Sequence, residues 1–272
     1  MAEPLSEEDP GIEVRTYFAR GRNALVARAD FSELYASLYL HQMDTGQKLE
    51  GELDNLLRDA LAAITLHCAS RPWNETAAWT VNFQHPLANV FVSGDNQSGN
   101  VVGNVFTENV KQTEKNIFYA DVLVANEPSR RSVVEFTGSD FLQAVESFYT
   151  ESEQRPARLF RHDEEDIVFI AAQPDCDLEW LAALDTDAVK RLDQDVELSL
   201  LETRHYRFQC GCNQERMLDV LAPLMRRQPD ELFGDQETIR IRCPRCGAKY
   251  SITREALEAH IAPTDEAETD KA

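Results

Sequence analysis

Residues 208–216 read FQCGCNQER, and residues 241–250 read IRCPRCGAKY. Four of the six cysteines of the chain lie in these two stretches: Cys210 and Cys212 as a Cys-x-Cys pair, Cys243 and Cys246 as a Cys-x-x-Cys pair. Two cysteines one or two residues apart can grip a metal, form a disulfide, or do each in turn. The residues beside them favour metal: a Pro after Cys243 and a Gly after Cys246 suit a knuckle whose backbone amides turn toward thiolate sulfurs. Four thiolates complete a tetrahedral shell and leave no open position, so the set predicts one structural Zn2+ and not a hydrolytic one. The stretch around them has few large apolar residues, so the metal is expected to supply most of its folding energy. A thioredoxin-like reading of Cys243 and Cys246 needs a strand before them and a helix after them in a βαβ context, which Gly247-Ala248-Lys249 does not offer.

The remainder of the composition sets the frame. A chain of 272 residues with 43% apolar content can form a large domain plus a small one. No stretch approaches the roughly 18 apolar residues of a membrane span, and the acidic start MAEPLSEEDP is unlike a secretory signal. A cytoplasmic protein with no membrane partner is expected. Six cysteines are too few for a secreted disulfide scaffold, and clustered cysteines in a reducing compartment bind metal or act as redox centres. The net charge of −21 argues against general nucleic-acid binding, which needs clustered Lys and Arg. Residues 1–207 hold 18 basic and 36 acidic side chains, whereas 208–262 hold eight of each, so composition changes just before Cys210.

Along the chain the periodicities predict an α+β fold: a mixed helix/sheet core domain over 14–174, a helical, acidic linker over 175–207, a four-cysteine zinc-binding switch domain over 208–262, and a disordered tail over 263–272. Residues 1–13 read as a second frayed end. FSELYASLYLHQM and LDNLLRDALAAITLHCA predict two amphipathic helices joined around Gly46. AWTVNFQ, ANVFVSGD, NVVGNVF and IFYADVLVA predict consecutive strands with a hairpin at GDNQSGN. Ser139 is a candidate cap for a helix with the stripe Phe141, Leu142, Val145 and Phe148, and DIVFIAAQ predicts one more strand. The linker carries nine acidic and three basic residues between Asp175 and His205. It can be helical only by laying Leu178, Leu181, Leu184, Val189 and Leu192 on an apolar surface, either as a switchable segment or as an ordinary inter-domain helix pair.

Cys68 falls on an apolar helical stripe and reads as a core residue, and Cys176 reads as an isolated thiol among acidic neighbours. The six His residues show no ligand spacing, and neither a phosphate loop nor a nucleophile elbow is present, so no catalytic residue and no enzyme activity is expected.

The pattern Cys-x-Cys, Glu-Arg, about thirty residues, Cys-x-x-Cys and a Tyr four residues on resembles the C-terminal domain of the heat shock protein 33 family of redox-regulated holdase chaperones. Cys210, Cys212, Glu215, Arg216, Cys243, Cys246 and Tyr250 fit it. FYTESEQRPARLF, with Ser152, Glu153, Gln154 and Pro156, resembles the helix-to-strand passage of the family, and PLANVFVSGDNQSGNVVG its glycine-punctuated hairpin. The resemblance spans roughly residues 75–260. It implies a reduced, zinc-bound, inactive state and activation by oxidants that convert Cys210 with Cys212, and Cys243 with Cys246, to disulfides. It also implies ATP-independent binding of unfolding client proteins; a homodimer of the activated protein is a candidate partner state that the sequence itself does not decide. The competing reading is a constitutive four-cysteine zinc-ribbon module that binds protein or nucleic acid through Arg240, Arg242, Arg245 and Lys249.

Overall fold

The computed structural model describes residues 11–163 and 165–261, which divide into two units after Cys210. The first unit opens with β1 (Ile12–Ala19) and β2 (Ala24–Asp30), whose first residues, Ile12, Val14 and Thr16, are buried in strict alternation. Then come α1 (Ser32–Thr45) and α2 (Glu52–Ala69), followed by β3 (Glu75–Gln84), β4 (Leu87–Asp95), β5 (Asn100–Phe106), β6 (Asn116–Val124) and β7 (Arg130–Phe136). After α3 (Phe141–Glu151) come β8 (Ala157–Arg161) and β9 (Asp166–Ala172), the short helices α4 (Leu178–Ala183), α5 (Thr186–Lys190) and α6 (Leu192–Asp195), and the long strand β10 (Leu198–Phe208). The strands form one sheet in the order β7-β6-β3-β4-β5-β10-β1-β2-β9-β8. β10 joins its halves, running antiparallel to β1 from Ile12↔Tyr206 to Ala19↔Leu198, and parallel to β5 at Arg207↔Asn100 and Phe208↔Val101.

The α+β class read from the sequence is the one observed, with several local differences. β1 begins at Ile12, inside the stretch expected to fray, while residues 1–10 and the tail from 263 lie outside the described residues. α2 is not amphipathic: nearly every residue from Leu56 to Ala69 is buried, because the helix packs on β4 and β5 along one side and on α3 along another. Gly94 lets it approach the sheet, since a Cβ there would stand 2.6 Å from Cys68 Sγ. Asp140, not Ser139, caps α3 by accepting from Gln143 N at 3.0 Å.

The acidic segment is helical only as far as Asp195 and ends in β10. Leu181, Leu184, Val189, Leu192 and Val196 lie on the face of the sheet formed by Ala19, Ala24, Val26, Phe160, Val168 and Ile170, opposite the main core. Leu178, expected to join this stripe, is 52% exposed. The acidic side chains of this segment do local work. Asp177 and Asp185 cap α4 and α5 by accepting from Trp180 N and Ala188 N, and Arg22 and Arg28 pair with Asp177 and Asp193.

The second unit contains α7 (Gln214–Arg227), α8 (Pro229–Phe233), β11 (Thr238–Arg242), β12 (Lys249–Thr253) and α9 (Arg254–Ile261). β11 and β12 form a two-stranded antiparallel ribbon, and Met217, Leu221, Met225, Phe233, Ile252 and Leu257 make its small core. Among the described residues no helix is long and apolar enough to cross a membrane.

Candidate metal centre

The first cysteine pair sits where β10 ends. Gln209 N donates to Val101 O at 2.9 Å, which holds the strand end just ahead of Cys210. Gly211 has φ +65°, a left-handed conformation that reverses the chain between the two cysteines at no steric cost. Arg216 Nη1 donates to Gly211 O at 2.6 Å and fixes this turn. Asn213 caps α7 by accepting from Arg216 N at 2.9 Å, and Glu215 lies in the first turn, where a negative charge is favourable.

The second pair occupies the turn of the ribbon. Arg242 pairs with Lys249, the last register before the turn, Cys243 N donates to Ala248 O at 2.8 Å, and Gly247 N donates to Cys243 O at 2.8 Å. These bonds close a tight turn that carries Cys243 and Cys246. Cys243 and Cys246 are buried; Cys210 and Cys212 are half-buried.

The Sγ atoms of Cys210, Cys212, Cys243 and Cys246 lie within 4.8 Å of one another, and Cys212 Sγ is 3.5 Å from Cys246 Sγ. Metal–sulfur bonds of about 2.3 Å in a tetrahedron place sulfurs about 3.8 Å apart, so the four cysteines are positioned to hold a metal ion. The all-sulfur donor set fits a soft or borderline cation and offers no hard oxygen ligand. Tyr250 reaches back from β12 and donates its hydroxyl to Cys212 Sγ at 3.0 Å.

The two other cysteines stand outside this group. Cys68 is buried on α2, where burial pushes its thiol up to about 12, and Cys176 is half-buried between β9 and α4, where burial also raises its thiol. Ser152, Glu153, Gln154 and Pro156 shape the passage from α3 to β8. Gln154 takes a left-handed φ of 51°, and Glu153 pairs with Arg71 at 3.1 Å. The spacing of the cysteines suggested the grouping of the sulfurs. The contacts of Arg216 and Tyr250 were not legible, although both residues belong to the quoted pattern, and the Asn213 cap had only its residue type as a signal.

Fold and site together define a protein with an α+β sheet domain, a small C-terminal unit and four cysteine sulfurs grouped so that they could hold a metal ion. Comparison with known proteins makes the class specific. The family model described as Hsp33 protein matches residues 162–253. A "33 kDa chaperonin" of Edwardsiella ictaluri is 27% identical over 163 residues, covering 50% of this chain and 56% of that protein. One of Aliivibrio salmonicida is 22% identical over 244 residues, covering 78% and 84%. The match thus spans about half the length of the first relative and more than four fifths of the second. The crystal structure of a 33 kDa chaperonin from Thermotoga maritima has the same fold, with a TM-score of 0.69 at 13% identity, covering 92% of this chain and 97% of that one. Over residues 162–253 the chain is similar to the heat shock protein 33 family, and it shares the fold of the 33 kDa chaperonin.

Proposed function

We propose that the protein is a redox-regulated, ATP-independent holdase that binds unfolding proteins when oxidised and is silent when reduced. The observation that carries this reading is the convergence of two distant cysteine pairs on one point, with all four sulfurs within 4.8 Å. The relatives bearing the name 33 kDa chaperonin support the chaperone part. In the reduced protein Cys210, Cys212, Cys243 and Cys246 hold one Zn2+. When bound, the ion keeps the four sulfurs as thiolates and ties the Cys-x-Cys turn to the ribbon knuckle.

Thiolates are the form that oxidants attack. A thiolate displaces hydroxide from a peroxide: the O–O bond breaks, an S–O bond forms, and sulfur loses two electrons to become a sulfenic acid. A neighbouring thiolate then displaces hydroxide from that sulfur and closes a disulfide. In this reading the disulfides are Cys210–Cys212 and Cys243–Cys246. The second unit, with its small core, then loses its main source of folding energy.

The leucine stripe of the acidic segment covers the core sheet, so in our proposal the coupling runs through β10, which connects α6 to Cys210. Helices of six, five and four residues do not persist without tertiary support. Once they lift away, the sheet face of Ala19, Val26, Phe160 and Ile170 is open to clients, and it offers two activated copies a surface for pairing. The net charge of −21 keeps the complexes dispersed. No catalytic turnover is part of this function, and the cytoplasm is its proposed place.

The test is zinc content under peroxide: zinc bound one per chain when reduced, released on oxidation, and lost in a Cys243→Ser variant. Stoichiometric, tight zinc in that variant overturns the site. The ribbon-module reading is favoured by Arg240, Arg242 and Lys249, which are exposed on one face of the ribbon. It predicts that zinc stays bound under mild peroxide at raised temperature.

A further inference from the structure

Tyr250 is tied to the sulfur cluster by a contact that the proposed function does not use. It lies opposite Ile241 in the ribbon register, two residues before the fully buried Ile252 on the same face, and its ring packs on the core of the small unit. That packing fixes where the hydroxyl points: to Cys212 Sγ at 3.0 Å, across 38 residues of sequence. Cys212 is also held by its own turn, through Arg216 Nη1 on Gly211 O at 2.6 Å, and it lies 3.5 Å from Cys246 Sγ. The O–H donor therefore meets a sulfur whose position is set independently.

We infer that Tyr250 is a positioning residue that slows oxidation of the cluster, its hydroxyl drawing charge from Cys212 Sγ and so setting the oxidant dose at which the four-sulfur site fails. This rests on the proposed function and adds a threshold to it. A hydrogen bond donated to a thiolate stabilises the anion and lowers its nucleophilicity, because thiolate attack rates rise with basicity with a Brønsted slope of about 0.4–0.5. The step that is slowed is the first one: Cys212 sulfur attacks a peroxide oxygen, the O–O bond breaks, hydroxide leaves, and the sulfur, two electrons poorer, becomes a sulfenic acid. With the hydroxyl removed, the sulfur keeps more of its electron density, and attack becomes faster, by about threefold for a tenfold gain in basicity at that Brønsted slope.

Tyr250→Phe keeps the ring in the small core and deletes only the donor. Full-length, zinc-loaded wild type and variant are mixed with excess hydrogen peroxide, and thiol loss is followed in time with and without excess free zinc. The variant should react about threefold faster, and the difference should persist in excess zinc, where early departure of the metal is suppressed. Loaded with cobalt(II) instead, the variant should show a shifted thiolate-to-metal charge-transfer band, a signature that ring packing alone does not move. Its zinc affinity should fall by about tenfold, as for other groups that hydrogen-bond to metal ligands. Equal rates with unchanged cobalt spectra overturn the inference, as does an acceleration that excess zinc abolishes, which would make Tyr250 only an aid to holding metal. A wild type that takes up no zinc overturns the proposed function itself; one that binds zinc, with a variant that behaves identically, overturns the brake alone.

Discussion

Replacing Leu181 and Leu184 by serine should release the segment 178–196 from the sheet while the protein is still reduced. Both side chains are almost fully buried on the face made by Val26, Phe160, Val168 and Ile170, at 2% and 6% exposure. Burying one leucine contributes about 1.5–3 kcal/mol, so removing two costs about 3–6 kcal/mol. The ion pairs Arg22–Asp177 and Arg28–Asp193 are more than one third exposed and are worth less than about 1 kcal/mol each, too little to keep the segment in place. Neither leucine belongs to the main core around α2, so the effect should be a local opening and not global unfolding. At about 1.4 kcal/mol per tenfold, amide hydrogen exchange in 178–196 should accelerate by roughly 10²–10⁴, while β3 to β6 stay protected. In a light-scattering assay with a heat-denaturing client, the reduced variant should suppress part of the aggregation and still retain its zinc. Unchanged exchange in the segment would refute the packing argument, and an open segment without any gain in client binding would place the client surface elsewhere.

Gly94→Ala should destabilise the first unit by about 1–3 kcal/mol, because its Cβ would stand 2.6 Å from Cys68 Sγ; pairing it with Cys68→Ala should restore much of the loss in a thermal melt. Cys68 should resist iodoacetamide at pH 8 in the native protein. Its folded thiol ionises only near 12 against an ordinary value of 9.0, so the unfolded chain loses that proton first, and stability should decline as pH rises above about 9. An alkaline melting series on wild type and Cys68→Ala checks the sign, with the variant declining less. Asn213→Ala should cost about 1 kcal/mol of α7 stability, read as increased exchange over the first turn of that helix.

The parts of the molecule legible in the sequence are those in which neighbours along the chain decide the outcome. The strands β3 to β6 show their β-branched and aromatic runs, and the cysteine pairs show their grouping by spacing and by the Pro and Gly beside them. β10 was not legible. Leu200 and Leu201 are both exposed, alternation of burial begins only at Glu202, and its place between β1 and β5 is set by pairing with strands roughly 100 and 190 residues away. α2 looked amphipathic because it carries Asp59, Thr65 and His67. Each of these is buried with a partner: Arg161 for Asp59, Leu61 O for Thr65 and Tyr149 for His67. The fate of the acidic segment depended on a sheet face that only tertiary structure assembles, although the need of its leucines for a surface was visible.

The central claim is that the state of four sulfurs decides whether the protein holds clients. The most direct test is a single preparation split in two, one half reduced and zinc-loaded, the other oxidised with peroxide until zinc release is complete, each titrated into a heat-denaturing client without nucleotide while light scattering is followed. Suppression of scattering by the oxidised half alone, reversed when thiol reductant and zinc are restored, is the predicted result. Equal suppression by both halves would contradict the account.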